Sequence, residues 1–311
     1  MERFKHRIDP SESHLGASQN VRLDRYLTRV LGVSSRSQIK TRVVKVLING
    51  KESKLGKLVK PGDELEIFYA EPPSEDLQAE NIDLEILFED NNVTVINKSQ
   101  GMVVHPAKGN YSGTLVNALL YRYEKMQESF PDEPLRPGIV HRLDKDTSGV
   151  MIVTKNTRAH ESLAEQFRRR AVRKIYIAIV KGEPPASAGK IETQIIRDPG
   201  MRQRFTWSTE GGKRALTSYK LLRAFSGYSL MVLRPHTGRT HQIRVHALSM
   251  GCPVLGDPVY SRRDKRFPDA SLMLHSYRLR VRLPDAEAEV REFRSPLPLR
   301  FKRIIKELSA E

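Results

Sequence analysis

The chain has 311 residues, 39% hydrophobic and 29% charged, enough for two domains with a core of ordinary size. Its 53 Lys and Arg against 37 Asp and Glu give a net charge of +16, which favours a polyanionic partner without separating RNA, DNA and acidic lipid. The lone Cys252 excludes an internal disulfide and argues against a cysteine zinc site, and no apolar run reaches the length of a membrane span. Met1 to Pro10 carries both signs of charge and no apolar run, so no signal peptide is expected and the cytoplasm is the default compartment.

Residues 1–16 are polar and aperiodic and are expected to form a disordered tail. Leu23, Leu27, Val30 and Leu31 then recur at helical spacing, and Ser35 with Gln38 has the spacing of a capping box for a second helix. Val46-Leu47-Ile48 runs into Asn49-Gly50, a tight-hairpin signal, and Pro61-Gly62-Asp63 marks another turn. Glu64 to Tyr69 alternates as a half-buried strand does. Residues 17–71 therefore read as one small domain and 72–83, acidic and containing Pro72-Pro73, as a linker.

Residues 84–311 read as one α+β domain. Strands are expected at 93–96, 101–104, 150–153, 175–180 and 230–233, and helices at 114–123, 159–172 and 299–308. The absence of strict strand–helix alternation argues against a doubly wound parallel sheet.

Within that domain His141 to Gly149 reads as a polar loop joining two β-branched runs, Ile139-Val140 and Val150 to Val153. It packs two carboxylates, Asp144 and Asp146, beside Arg142, Lys145 and two hydroxyls. Residue chemistry alone leaves the two Asp residues unranked between an acid–base pair, a metal site and a charged turn. His236, His241 and His246 are spaced by five, which fits neither one helical face nor one strand face, so a metal cluster is not expected. Arg168, Arg169, Arg170, Arg173 and Lys174 exceed what a helix C-terminus needs and suggest a phosphate track.

The string His141-Arg142-Leu143-Asp144 followed by Thr147-Ser148-Gly149 resembles the signature of the RluA-type pseudouridine synthases. Asn97 to Pro106, Lys174 to Gly182 and Thr237 to His246 resemble three further motifs of that family, with Ser99 where its members carry Pro. Arg22 to Leu27, Ser34 to Ser37 and Val46 to Lys51 resemble the S4 RNA-binding module. The resemblance implies a small S4 (αL-type) module followed by a catalytic domain on a mixed, mainly antiparallel sheet. It implies Asp144 as the nucleophile, at uracil C6 or at C1′, with Arg244 as its partner and Tyr176 as the residue that stacks on the base and is a candidate for removing the C5 proton. A nearby guanidinium favours the ionised carboxylate that such a step needs. Base flipping is expected, with Arg142 filling the vacated stack and His141 beside it among the RNA contacts. On the S4 module the expected contacts are Arg36, Lys40, Arg42 and Lys51. No metal or cofactor is implied. Likeness to the RluD-like branch points to large-subunit (23S) ribosomal RNA or the pre-ribosomal large subunit, at the hairpin known as helix 69, for a monomer with no inferable protein partner. The rivals are a tRNA enzyme of the same chemistry and a non-catalytic S4-type assembly factor.

Overall fold

The computed structural model describes residues 2–9, 21–29, 39, 43–69, 77–106, 110–131, 133, 135–201, 203–284 and 289–310. They form two compact units, 1–76 and 77–311. Among them no helix is long and apolar enough to cross a membrane.

The first unit holds β1 (Glu2–Arg7), β2 (Val21–Arg22), α1 (Leu23–Arg29), β3 (Val43–Ile48), β4 (Lys51–Glu52), β5 (Leu58–Val59) and β6 (Glu64–Tyr69). One sheet has the order β1-β6-β3-β4, and β2 pairs with β5. Asn49 and Gly50 take positive φ (53° and 75°), as a two-residue hairpin turn demands. The Asn49 side chain is stapled to the second turn, donating to Asp63 and accepting from the Glu64 N–H, both at 2.8 Å. Leu23, Tyr26 and Leu27 of α1 pack with Ile39, Val46, Ile48, Leu65 and Ile67.

β1 corrects the expectation of a disordered tail. Residues 2–7 pair antiparallel with β6. Phe4 packs against the core and Ile8 is buried in it, while Arg3 and Lys5 point outward to Glu66. The strand was hidden because its outward positions are all charged and its inward ones only partly apolar. The expected second helix from Ser35 lies almost wholly outside the described residues.

The second unit opens on residues 77–83, expected as linker but docked instead. Leu77 is buried in the main core, and Gln78 O accepts from Asn117 Nδ2 at 2.8 Å. Then come β7 (Glu85–Glu89), β8 (Val93–Lys98), α2 (Leu115–Arg122), β9 (Ser148–Thr154), α3 (Thr157–Arg168), β10 (Arg173–Lys181), β11 (Ala188–Arg197) and β12 (Phe205–Ser208). They are followed by β13 (Lys213–Phe225), β14 (Tyr228–Pro235), α4 (Gln242–Ser249), β15 (Leu274–Arg282), β16 (Val290–Arg294) and α5 (Leu299–Leu308).

Its ten-stranded sheet runs β12-β11-β13-β14-β10-β15-β9-β8-β7, with β16 against β15. Among the described residues β15 with β9 is the one parallel pair, so the sheet is mixed and mainly antiparallel. β9 is buried along its whole length because both sheet faces are covered. Met151 and Val153 face the core shared with α2 and α5, and Val150 and Ile152 face the core capped by α3.

Three expected elements differ. Residues 101–104 are not a strand, because their backbone serves neighbouring segments: Gly101 N–H donates to Lys145 O and Val103 O accepts from Leu115 N–H. Ile139-Val140 is loop, so the 141–147 segment enters only one strand. α3 stops at Arg168 rather than Val172, since Arg170 turns left-handed (φ 60°).

Gly149, at φ 118°, sits where β9 meets β15, and a Cβ there would lie 2.2 Å from Ser276 O. Gly149→Ala adds backbone strain of about 1–3 kcal/mol to that collision. It is expected to lower the Tm of the catalytic unit by about 6–12 °C for a loss of about 3 kcal/mol, read by calorimetry.

Candidate active site

The 141–147 loop is held by a buried lysine that no local pattern marks. Lys98, 1% exposed at the end of β8, donates to Ser99 O, Met102 O and Lys145 O at 2.9, 2.8 and 3.1 Å. Burial draws its pKa down to about 8, with Asp144 and Asp146 opposing. Ser99 contributes only its carbonyl to this clamp, which a proline there would also supply. Gln100 adds two bonds, to Asp146 O and Leu272 O. Ser148 Oγ is fixed by His275 Nδ1 at 2.8 Å and by the Arg300 guanidinium at 2.6 Å. The loop's two carboxylates thereby face different surroundings.

Asp144 lines a cavity of about 130 Å³ walled by Tyr176 of β10, Thr237 to Ile243, Arg244 of α4 and Leu274. Asp146 is not among its lining residues. Arg244, nearly buried, sits between two carboxylates. Its Nε and Nη2 donate to Asp257 at 2.7 Å each, and its Nη1 reaches Asp144 Oδ2 at 3.4 Å. Burial alone would depress the guanidinium, but the hydrogen bonds and charge of Asp257, with Asp144 adding, carry it above the ordinary arginine value. Asp257 also accepts the Val259 and Tyr260 N–H groups, so its position is set by backbone. The sequence reading missed it, and the only available signal was a carboxylate beside the Gly256 turn.

Tyr176 is 8% exposed, and burial pushes its hydroxyl well above the usual tyrosine value, with Ser276 opposing and the charge of Asp144 adding. A phenolate base is therefore disfavoured, and a protonated ring in the wall is what the geometry provides. The three histidines do not converge. His236 bonds Ser218 Oγ at 2.8 Å, and His246 is buried between Thr193 and Thr217 hydroxyls at 3.0 and 2.8 Å. His241 lines the cavity. The N-cap of α4 is His241 itself, left-handed at φ 56°.

A model of the family described as RNA pseudouridylate synthase matches residues 92–249, and an S4 domain model matches 21–65. The chain is 45% identical over 287 residues to "Ribosomal large subunit pseudouridine synthase D" of Borreliella burgdorferi, covering 90% of this chain and 87% of the relative. The chain belongs to the RNA pseudouridylate synthase family. Similarity extends to the protein of the same printed name from Neisseria meningitidis, 39% identical over 89% of this chain and 76% of that one. The solved structure "Human RNA Pseudouridylate Synthase Domain Containing 4" superposes with a TM-score of 0.57 at 26% identity, over 72% of this chain and 93% of that one.

The expected RNA contacts of this pseudouridylate synthase divide on inspection. Arg142 is exposed, and its Nη1 lies 3.3 Å from His105 Nε2. His105 has its pKa drawn down to about 4, first by burial and then by Arg142, so it is the acceptor. His141 is turned inward instead. Its Nε2 accepts the Ile152 N–H at 3.1 Å and its ring stacks on Phe167 at 4.6 Å. Burial, with Lys174 adding, draws its pKa to about 3. It is a neutral brace for the loop, not a cation on the surface.

The run after α3 also splits. Arg168, Arg170 and Lys174 line a second cleft of about 370 Å³ that shares Arg142 and Lys174 with the first. Arg169 and Arg173 are exposed but do not line it, and Arg168 and Arg169 both pair with Glu165. Lys174 is largely enclosed, and burial lowers its pKa. Lys51 is exposed on β4, while Arg36, Lys40 and Arg42 lie outside the described residues.

Two variants test this frame. Asp257→Asn breaks a buried ion pair and is expected to cost about 3 kcal/mol or more and to lower kcat, read by denaturant unfolding and turnover. Lys98 supplies a pH signature. With a folded pKa near 8 against the ordinary 10.5, the unfolded chain binds more protons between those values, so this group's contribution to stability rises with pH there. The rise is roughly 3 kcal/mol. Lys98→Met should remove it, seen by comparing urea unfolding of the two proteins at pH 7.5 and 10.

Proposed function

We propose that this chain converts uridine to pseudouridine in large-subunit ribosomal RNA, with Asp144 as the attacking carboxylate on a flipped base. The observation that carries the catalytic part is the Arg244 guanidinium, forked by Asp257 and turned toward Asp144 in the same cavity as Tyr176. A fixed cation 3.4 Å from Asp144 Oδ2 holds the attacking carboxylate in place within a site the base will close.

In the reaction Asp144 bonds to C1′ or to uracil C6, the C1′–N1 bond breaks, the uracil turns, and a C1′–C5 bond forms with release of the Asp144 carboxylate. The C5 proton passes to water and N1 takes one from water, so no redox step is involved. Tyr176 stacks on the ring and stays protonated. Arg142, resting on His105 at the mouth, moves into the gap left by the flipped uridine. The S4 unit adds phosphate contacts through Arg36, Lys40, Arg42 and Lys51.

The rRNA target rests on relatives whose printed names specify the ribosomal large subunit. The helix 69 hairpin follows from likeness to their branch, and the setting is the cytoplasm.

Tritium release from RNA carrying 5-tritiated uridine tests the chemistry. Wild type is expected to release tritium, and Asp144→Asn none at normal RNA affinity; release by the variant removes the nucleophile assignment. Mapping pseudouridine in cells lacking the gene tests the target. Loss confined to rRNA is expected, whereas loss confined to tRNA rejects it. Double substitution of Arg168 and Arg170 by Gln should reduce the slope of log K against log salt by about 1.4, at about 0.7 per single-strand phosphate contact. The Arg169/Arg173 pair, outside the cleft, should leave the slope unchanged.

A further inference from the structure

His241 is unusually constrained for a residue to which the motifs give no role. It occupies the N-cap of α4 in a left-handed conformation yet makes no side-chain cap hydrogen bond. A β-carbon residue held there is strained unless its surroundings hold it in place. Its ring is caged edge-to-face by Phe205 and Tyr260, both with centroids 5.5 Å away. Its two nitrogens face different partners. Nδ1 is 2.8 Å from the Tyr260 hydroxyl, and Nε2 is 3.9 Å from Asp144 Oδ2.

The Tyr260 hydroxyl selects which nitrogen carries the proton. The Phe205 N–H donates to its oxygen at 2.8 Å, and among the described residues His241 Nδ1 is the acceptor within reach of its own proton. With that bond made, the imidazole proton sits on Nε2, aimed at Asp144. The opposite tautomer would strand the tyrosine proton without an acceptor among the described residues and set a bare nitrogen lone pair against a carboxylate oxygen. Burial keeps the ring neutral, with Arg244 and Arg142 pressing the same way and Asp144 and Asp257 opposing.

We propose that His241 is a positioning residue for Asp144: its Nε2–H, with Arg244 Nη1, anchors Oδ2 and leaves Oδ1 as the atom that attacks the uridine. Both donors converge on the same oxygen, at 3.9 and 3.4 Å. Among the described residues no hydrogen bond engages Oδ1. These separations are longer than a formed hydrogen bond, as catalytic contacts commonly are before substrate closes the site. The wiring runs from the Phe205 backbone through Tyr260 and His241 to the carboxylate. The inference rests on the reading of Asp144 as nucleophile, and the experiment separates the two.

The full chain is labelled with ¹⁵N in its histidine rings, and two-bond ¹H–¹⁵N spectra report the tautomer, with His241→Gln assigning the signal. The expected result is a neutral Nε2–H ring in wild type that gains Nδ1–H character in Tyr260→Phe, a change that keeps the ring and removes only the hydroxyl. An Nδ1–H ring in wild type overturns the proposal. In turnover, His241→Gln, whose amide nitrogen replaces Nε2, should stay within about tenfold of wild type. His241→Ala should lower kcat about 100-fold with KM for RNA unchanged, the scale of a misplaced reacting group. Equal loss in Gln and Ala overturns the proposal, as does a loss carried by KM. Turnover by Asp144→Asn would instead sink the nucleophile reading and leave the tautomer standing.

Discussion

A guanidinium with almost no access to water is tolerable only if its charge is answered, and the catalytic unit is arranged around answering Arg244. Asp257 meets it in a two-bond fork, and the Val259 and Tyr260 N–H groups fix that carboxylate in turn. Removing either partner would leave an unanswered buried charge, so the pair constrains the chain far more than it stabilises it. The Arg244 guanidinium also lies 5.0 Å from the Tyr260 ring centroid, adding a cation–π contact to the same cluster. Its Nη1 is directed at Asp144.

Presenting Arg244 from α4 requires a helix buried nearly all round. The helix answers this with polar side chains bolted to the sheet. Gln242 donates to Leu216 O and Thr217 Oγ1, and His246 bridges Thr193 and Thr217. Val245 supplies the apolar contact, packing with Ile195, Ala215 and Tyr260. A helix fixed by directional bonds cannot slide along its axis as one held by apolar ridges can, and the site needs that precision. Lys98 does the equivalent for the Asp144 loop, with three carbonyls collected on one ammonium.

Much of this was legible where local chemistry settles conformation. Asn49-Gly50 turned as its backbone requirement dictates, and α5 formed over the residues whose periodicity marked it. Asp144, Tyr176 and Arg244 do share one cavity. The misses share a cause. Asp257, Lys98 and the inward-turned His141 gain their meaning from Arg244, Lys145 and Phe167, which lie 13, 47 and 26 residues away, and no local pattern distinguishes a buried lysine from an exposed one. Periodicity likewise marked residues 101–104 as a strand, whereas their backbone bonds went to the Asp144 loop and to α2.

The insertion of β15 between β9 and β10 has a consequence for synthesis. Those two strands are separated by α3 alone, and the strand that joins them lies about a hundred residues downstream. Arg300, which clamps Ser148, comes later still. The first unit and the β7–β8 hairpin can form as they leave the ribosome, since their contacts are local or already made. The centre of the catalytic sheet must wait with a gap in it until β15 has emerged. Leu274 of that strand is part of the cavity wall, so the active site closes only after β15 is in place.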